Sequence, residues 1–246
     1  MKRLLVGAVL TLVLSGAPAR AQDPAPVPTP PPNLSGKAEL SFVSTGGNTS
    51  TQTLGFAAEA EYKPAPWSLK AGFAFIRAES DDEVKAKSIA AFVRGGRKIA
   101  DPIEVFVEAR YLKNTFAGID NRFGIEGGIA YTVFKLPQHL LKAEVGLGYI
   151  RELRVTPPSL SFATARLGAS YKWTFSKTAD FTEDCGFIED LADTGDWRVQ
   201  SVASLSAAMS TLLSLKASHT FNYVRKPPAG FGRTDTITSV ALVAKF

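Results

Sequence analysis

The sequence predicts an all-β fold, an antiparallel transmembrane barrel of about twelve strands, and three observations carry the prediction. From Gly36 onward apolar and polar residues alternate with a period of two, interrupted by turn residues rather than by helical spacing. The final run places Thr236, Thr238, Val240, Leu242, Ala244 and Phe246 on one face and Asp235, Ser239 and Lys245 on the other. A last strand must pair with the first to close a barrel, and a terminal aromatic ring suits the half-wetted membrane interface. At the other end, Lys2 and Arg3, the apolar run Leu4 to Leu14 and the small-x-small triplet Ala19-Arg20-Ala21 form a secretory signal peptide. Cleavage after Ala21 sets a mature start at Gln22, and the expected destination is the bacterial outer membrane.

Residues 22–33 contain the tract DPAPVPTPPPN, which prefers extended polyproline II and makes few ladder hydrogen bonds, so it is expected to be a periplasmic linker ahead of a barrel over 34–246. The chain is 45% hydrophobic, yet outside the leader no run approaches the roughly eighteen apolar residues of a membrane helix. Membrane residence therefore has to be as a barrel. The net charge of +5 falls by three, to +2, once Lys2, Arg3 and Arg20 leave with the leader. Such a balance offers no basic patch for nucleic acid. The single cysteine, Cys185, allows neither an internal disulfide nor a cysteine-based zinc site, and no cofactor is expected.

Taken in order, the first strand sets Ala38, Leu40 and Phe42 opposite Lys37, Glu39 and Ser41, and Thr45 to Asn48 turns the chain. The second sets Leu54, Phe56, Ala58, Ala60 and Tyr62 opposite Thr53, Gly55, Glu59 and Glu61 and stops at Lys63-Pro64-Ala65-Pro66. The third presents Trp67, Leu69, Ala71, Phe73 and Phe75; beyond an acidic loop from Ala78 to Val84, the fourth presents Ile89, Ala91 and Val93. The fifth runs through Ile103, Val105, Val107, Ala109 and Tyr111, and the sixth through Phe123, Ile125, Ile129, Tyr131 and Val133, with a loop from Lys113 to Asn121 between them. The seventh carries Leu141 to Tyr149 on odd numbers, and the eighth Ala163 to Trp173. In the ninth, about Ala179 to Ile188, strict parity sets Glu183 beside Phe181, Cys185 and Phe187, and a bulge or a short membrane-crossing portion would relieve the conflict. The tenth spans about Trp197 to Ala207, the eleventh Leu212 to Val224, and the twelfth ends the chain.

An even count returns both termini to the periplasm, with short turns on that side and longer loops outside. Aromatics sort with this alternation. Tyr62, Trp67, Tyr131, Tyr171, Trp173 and Phe246 fall at the short-turn end, and Phe42, Phe75, Tyr111, Phe123, Tyr149, Trp197 and Tyr223 at the loop end, as two membrane girdles would.

The opposite parity faces the lumen, where strands four to eight place Arg94, Glu104, Glu108, Arg110, Arg122, Glu126, Lys142, Glu144, Arg166 and Lys172. Opposite charges on neighbouring strands pair, and inside a narrow barrel they are weakly screened. The set is suited to a constriction selecting ions or small solutes, or to a network that fills and stiffens the lumen. Gly124, Gly128, Gly146, Gly148 and Gly168 share that face and make room for large neighbours such as Phe92, Phe106 and Phe162.

Outer-membrane lipid, lipopolysaccharide and the barrel-assembly machinery are the expected partners, with Phe246 as the C-terminal assembly signal. Glu79 to Glu83 could share a divalent cation with lipopolysaccharide phosphates, although the ligand spacing of a calcium loop is absent and no metal residue is assigned. An alternative class is an outer-membrane enzyme of phospholipase or acyltransferase type, which needs a His base near a Ser nucleophile in the outer half. Neither His139, in a short turn, nor His219, on the lipid parity, fits, so no catalytic residue is assigned. A further alternative is a soluble periplasmic lipocalin-like protein with the apolar parity inside.

Ser44-Thr45-Gly46-Gly47-Asn48-Thr49, Phe116-Ala117-Gly118-Ile119-Asp120-Asn121-Arg122, Asp196-Trp197-Arg198, Pro227-Pro228-Ala229-Gly230 and Thr234-Asp235-Thr236 recur in order along the barrel region. On these segments the chain resembles the domain of unknown function 481 family, also labelled salt-induced outer membrane protein. The resemblance implies an outer-membrane barrel, a possible link to salt or osmotic stress, and no defined molecular activity.

Overall fold

The computed structural model describes the backbone of residues 33–46, 51–80 and 83–246, and their side chains except at 44–46, 51–53, 78–80 and 83–86. The leader, nearly all of the proline tract, the tip of the first loop and Asp81-Asp82 lie outside the described residues. Twelve antiparallel strands follow: β1 (Leu34–Gly46), β2 (Thr51–Tyr62), β3 (Trp67–Ser80), β4 (Glu83–Ala100), β5 (Ile103–Asn114), β6 (Ile119–Lys135), β7 (His139–Arg154), β8 (Leu160–Thr174), β9 (Ala179–Asp190), β10 (Trp197–Ala208), β11 (Leu213–Val224) and β12 (Thr234–Lys245). Each pairs with its neighbour in sequence, and β12 returns to β1 to close the barrel. Closure leaves no strand edge, which is what allows a sheet to sit in hydrocarbon.

Exposure alternates with the two-residue period along much of β6, β7 and β8. Leu54 and Leu147 are each 66% exposed and Leu167 58%, whereas lumen-facing Phe106 and Phe162 are 3% and 4% exposed. The apolar parity is therefore on the outside. That inverts the lipocalin arrangement and removes it, because a soluble barrel would hide these side chains from water.

Strands reach further toward the long loops than the sequence predicts. β3 and β4 pair out to Ser80 and Glu83, consuming most of the acidic loop. β7 continues to Arg154, and the Lys113 to Asn121 loop shrinks to a single 3-10 turn over Thr115–Ala117, closed by Gly118 at φ 71°. A left-handed residue there suits glycine. Beside Gly118 lies the Phe231 ring of the last loop, and Phe116 is buried against Ile76. Of the two ways of relieving the ninth strand, the bulge is absent: the ladders of β9 to β8 and β10 run without a register shift, so Glu183 does face outward.

Both aromatic bands form contacts. At the short-turn end the His139 ring stacks with Tyr171 and Trp173 (centroids 6.0 and 5.9 Å), and its Nδ1 shares a 2.8 Å hydrogen bond with the Tyr171 hydroxyl. His139 opens β7 instead of ending a turn. At the loop end Trp197 lies between Phe187 and Tyr223, at 6.1 and 4.9 Å.

The closing seam is reinforced at both faces. Phe246 N–H donates to the Gly36 carbonyl (3.0 Å) and the Phe246 main-chain oxygen accepts from Gly36 N–H (2.9 Å), extending the β1–β12 ladder by one pair, with the Phe246 ring lying over Gly36. Glycine there leaves the ring a flat seat, an aromatic covering a strand glycine. On the lumen side Lys216 of β11 reaches over β12 to both oxygens of Glu39 on β1, each at 3.0 Å. Ala241 and Val243 on the intervening strand are small enough to be covered by that pair. Deleting Phe246 removes two hydrogen bonds and the ring, and is expected to lower folded barrel several-fold in a membrane-folding assay, while Phe246→Tyr keeps most of it. Equal folding of wild type and deletion would show that the seam does not depend on this residue.

Candidate functional site

Six of the ten lumen residues named from parity form one closed circuit. Around it run Arg94 on β4, Glu108 and Arg110 on β5, Glu126 on β6, Arg166 on β8 and Glu144 on β7, alternating in sign. Arg94 pairs with Glu108 at 3.3 Å and with Glu144 at 2.8 Å. Arg166 pairs with Glu144 and Glu126, both at 3.1 Å; Arg110 pairs with Glu126 at 3.6 Å and with Glu108. Every charge has two opposite neighbours, and the circuit is neutral. The Arg94–Glu144 contact is bidentate, the geometry in which guanidinium and carboxylate bond most strongly.

This circuit leaves the wall. Arg94 and Glu144 stand three strands apart in a barrel of twelve, a quarter of the circumference, so their side chains run along a chord through the lumen. What permits it is the carpet of small residues below. The Arg94 guanidinium rests 3.7 Å from the centroid of the Phe106 ring, and Phe106 lies across Gly128, where a Cβ would come within 2.8 Å of it. A Cβ on Gly168 would come within 3.2 Å of the Arg166 guanidinium. Of the remaining four predicted residues, Glu104 accepts from Ser68 Oγ at 3.1 Å, and Arg122 belongs to a different cluster. Lys142 and Lys172 make no ion pair among the described residues.

Toward the long loops a second cluster surrounds Glu152, which is 1% exposed. Arg122 approaches at 2.5 Å, Arg154 at 2.6 Å and Arg198 at 3.3 Å. Arg198 also donates to Asp196 at 3.4 Å and lies over Phe162 at 4.7 Å. Arg154 donates to the Lys226 carbonyl (3.2 Å) and Asp196 accepts from Lys226 N–H (3.2 Å), so the cluster fastens the last loop over the mouth. Exposed Asp193 accepts from the Lys226 ammonium, which holds its carboxyl below the usual carboxylate range. Toward the short turns a third chain runs Lys216–Glu39–Lys37 and on through Glu59 to Lys70.

Glu152, Arg154 and Arg198 are absent from the lumen set expected from the sequence, where the seventh strand ends at Tyr149 and the lumen is confined to strands four to eight. Carrying the parity on to Arg154 and into the tenth strand would have found them. Among the described residues no group of His, Cys, Asp and Glu is arranged to hold a metal ion.

An apolar exterior, a closed antiparallel sheet and a polar, ion-paired lumen occur together where the surrounding solvent is lipid, and the fold is that of bacterial outer-membrane porins. Residues 38–246 match the family described as "Protein of unknown function, DUF481", and the chain belongs to that family. Among solved structures it is similar to the NanC porin, with a TM-score of 0.59 at 9% identity over 85% of this chain and 100% of that one. The KdgM porin aligns with a TM-score of 0.47 at 9% identity over 85% and 99% of the two chains. The translocator domain of the autotransporter NalP from Neisseria meningitidis aligns with a TM-score of 0.48 at 16% identity over 86% and 88%. No curated protein matches the sequence.

Proposed function

We propose that the protein is a narrow, non-enzymatic channel of the bacterial outer membrane, passing ions and small solutes through a lumen constricted by the Arg94–Glu144 circuit. The leader and the girdles support that residence, with the long loops outside and the short turns in the periplasm. Lipid, lipopolysaccharide and the assembly machinery are its partners in this reading, and a role in salt or osmotic stress agrees with it. One observation carries the proposal: three arginines and three glutamates, paired in a neutral closed loop, cross the lumen on a chord. Fixed charges on a chord narrow the path, and their neutrality leaves little field to favour either sign of ion. Both histidines are engaged outside the lumen, His139 with Tyr171 and His219 with Thr238, which supports transport over hydrolysis.

Single-channel recording in planar bilayers tests it. Wild type should give small, discrete conductance steps with weak ion preference. Arg94→Ser removes the side chain on the chord and should raise conductance by roughly twofold or more. Glu144→Gln leaves Arg94 and Arg166 with one carboxylate each, so the reversal potential under a KCl gradient should move toward chloride. Silence from both wild type and Arg94→Ser would make the barrel a sealed structural component of the envelope.

A further inference from the structure

The outer face is not uniform. Across β2–β8, between the girdles, it is apolar, as Leu54, Phe73, Val107, Ile125 and Leu147 illustrate, all at least 43% exposed. Across β9–β12 the same band carries Glu183, Cys185, Ser201, His219 and Thr238. Lipid chains offer none of these groups a hydrogen bond, and a carboxylate facing hydrocarbon is costly.

The patch is half satisfied from within. Ser201 Oγ donates to Glu183 Oε1 at 2.5 Å, and the Cys185 thiol lies 3.4 Å from the same oxygen. Glu183 Oε2 has no partner among the described residues. The His219 Nδ1 shares a 2.9 Å hydrogen bond with Thr238 Oγ1, and Nε2 has no partner among the described residues.

Position makes the two open groups complementary. Ala203 on β10 pairs with Glu183 on one side and His219 on the other. Glu183 and His219 each lie four residues from the ring cluster, counted from Phe187 and Tyr223. A two-fold axis along the membrane normal beside Ala203 sets β9 of one barrel against β11 of another. Ala203 and Ala217 are small and admit a close approach, as at other intramembrane contacts.

We propose that this face packs against a second copy of the chain within the membrane, with Glu183 of each copy meeting His219 of the other across an isologous contact. The proposal rests on the membrane-barrel reading above. It goes beyond it by assigning a partner to one wall.

Crosslinking of the full barrel in lipid vesicles tests it, because Cys185 is the chain's single cysteine. With Cys185→Ser as background, Ala203→Cys sits beside the proposed axis and Val145→Cys on the apolar wall. Mild oxidation should give a dimer band from Ala203→Cys and none from Val145→Cys. Adding Glu183→Leu and His219→Leu together should lower the dimer yield several-fold while each barrel still migrates as a folded, heat-modifiable monomer. No dimer from a heat-modifiable Ala203→Cys barrel would overturn the contact and leave the barrel reading intact. A band formed only with a different protein in native membranes would overturn the second-copy assignment, and failure of every variant to show heat modifiability would count against the barrel reading itself.

Discussion

Glu152→Gln is expected to destabilise the folded barrel by about 3–5 kcal/mol, the cost typical of removing one member of a buried ion cluster. The carboxylate is almost fully hidden and is the anion shared by Arg122, Arg154 and Arg198. Neutralising it leaves three guanidinium groups close together, with Asp196 the remaining carboxylate paired to Arg198. Gln keeps the volume and one acceptor oxygen, so the loss isolates charge rather than packing. Urea unfolding from lipid vesicles, followed by tryptophan fluorescence, measures it. Arg198→Leu in the Glu152→Gln background should recover part of the loss, because it removes a repelling cation. A loss below about 1 kcal/mol would place the cluster among solvated surface pairs.

Why the sequence showed the circuit's members but not its shape follows from what a strand encodes. Period two assigns each residue to a face, so Arg94, Glu108, Arg110, Glu126, Glu144 and Arg166 were legible as lumen residues. It does not encode which strands approach across a chord. Arg94 reaches Glu144 past β5 and β6 because Gly128 and Phe106 lie low beneath it, and that depends on barrel closure and register. The same limit hid the ion pair across the seam, where Lys216 and Glu39 are 177 residues apart in sequence. Strand ends were the weakest part of the prediction, since Arg151 to Ser159 is polar and proline-bearing and looks like a loop. Glu183 taught the opposite lesson: parity was right there, and the bulge invoked to excuse it was not.

Leu167→Arg is expected to cost about 2–4 kcal/mol of folding free energy in lipid, the range for a cation on the outer face near the bilayer midplane. Leu167 is the eighth of fifteen residues in β8, flanked across the sheet by Val145 and Phe187. It is 58% exposed without lipid, so its surroundings in the membrane are acyl chains. Its row across the sheet runs from Phe187 through Val145 to Ile129, all apolar. An arginine there must stretch toward an interface or draw water inward, and both lower stability. Lys172→Gln on the lumen parity of the same strand should change stability by about 0.5 kcal/mol or less, since that ammonium has no ion pair among the described residues. Lipid-vesicle folding of the two variants side by side checks both. Unimpaired folding of Leu167→Arg would mean that this wall does not face lipid, and the membrane assignment of the whole outer face would fall with it.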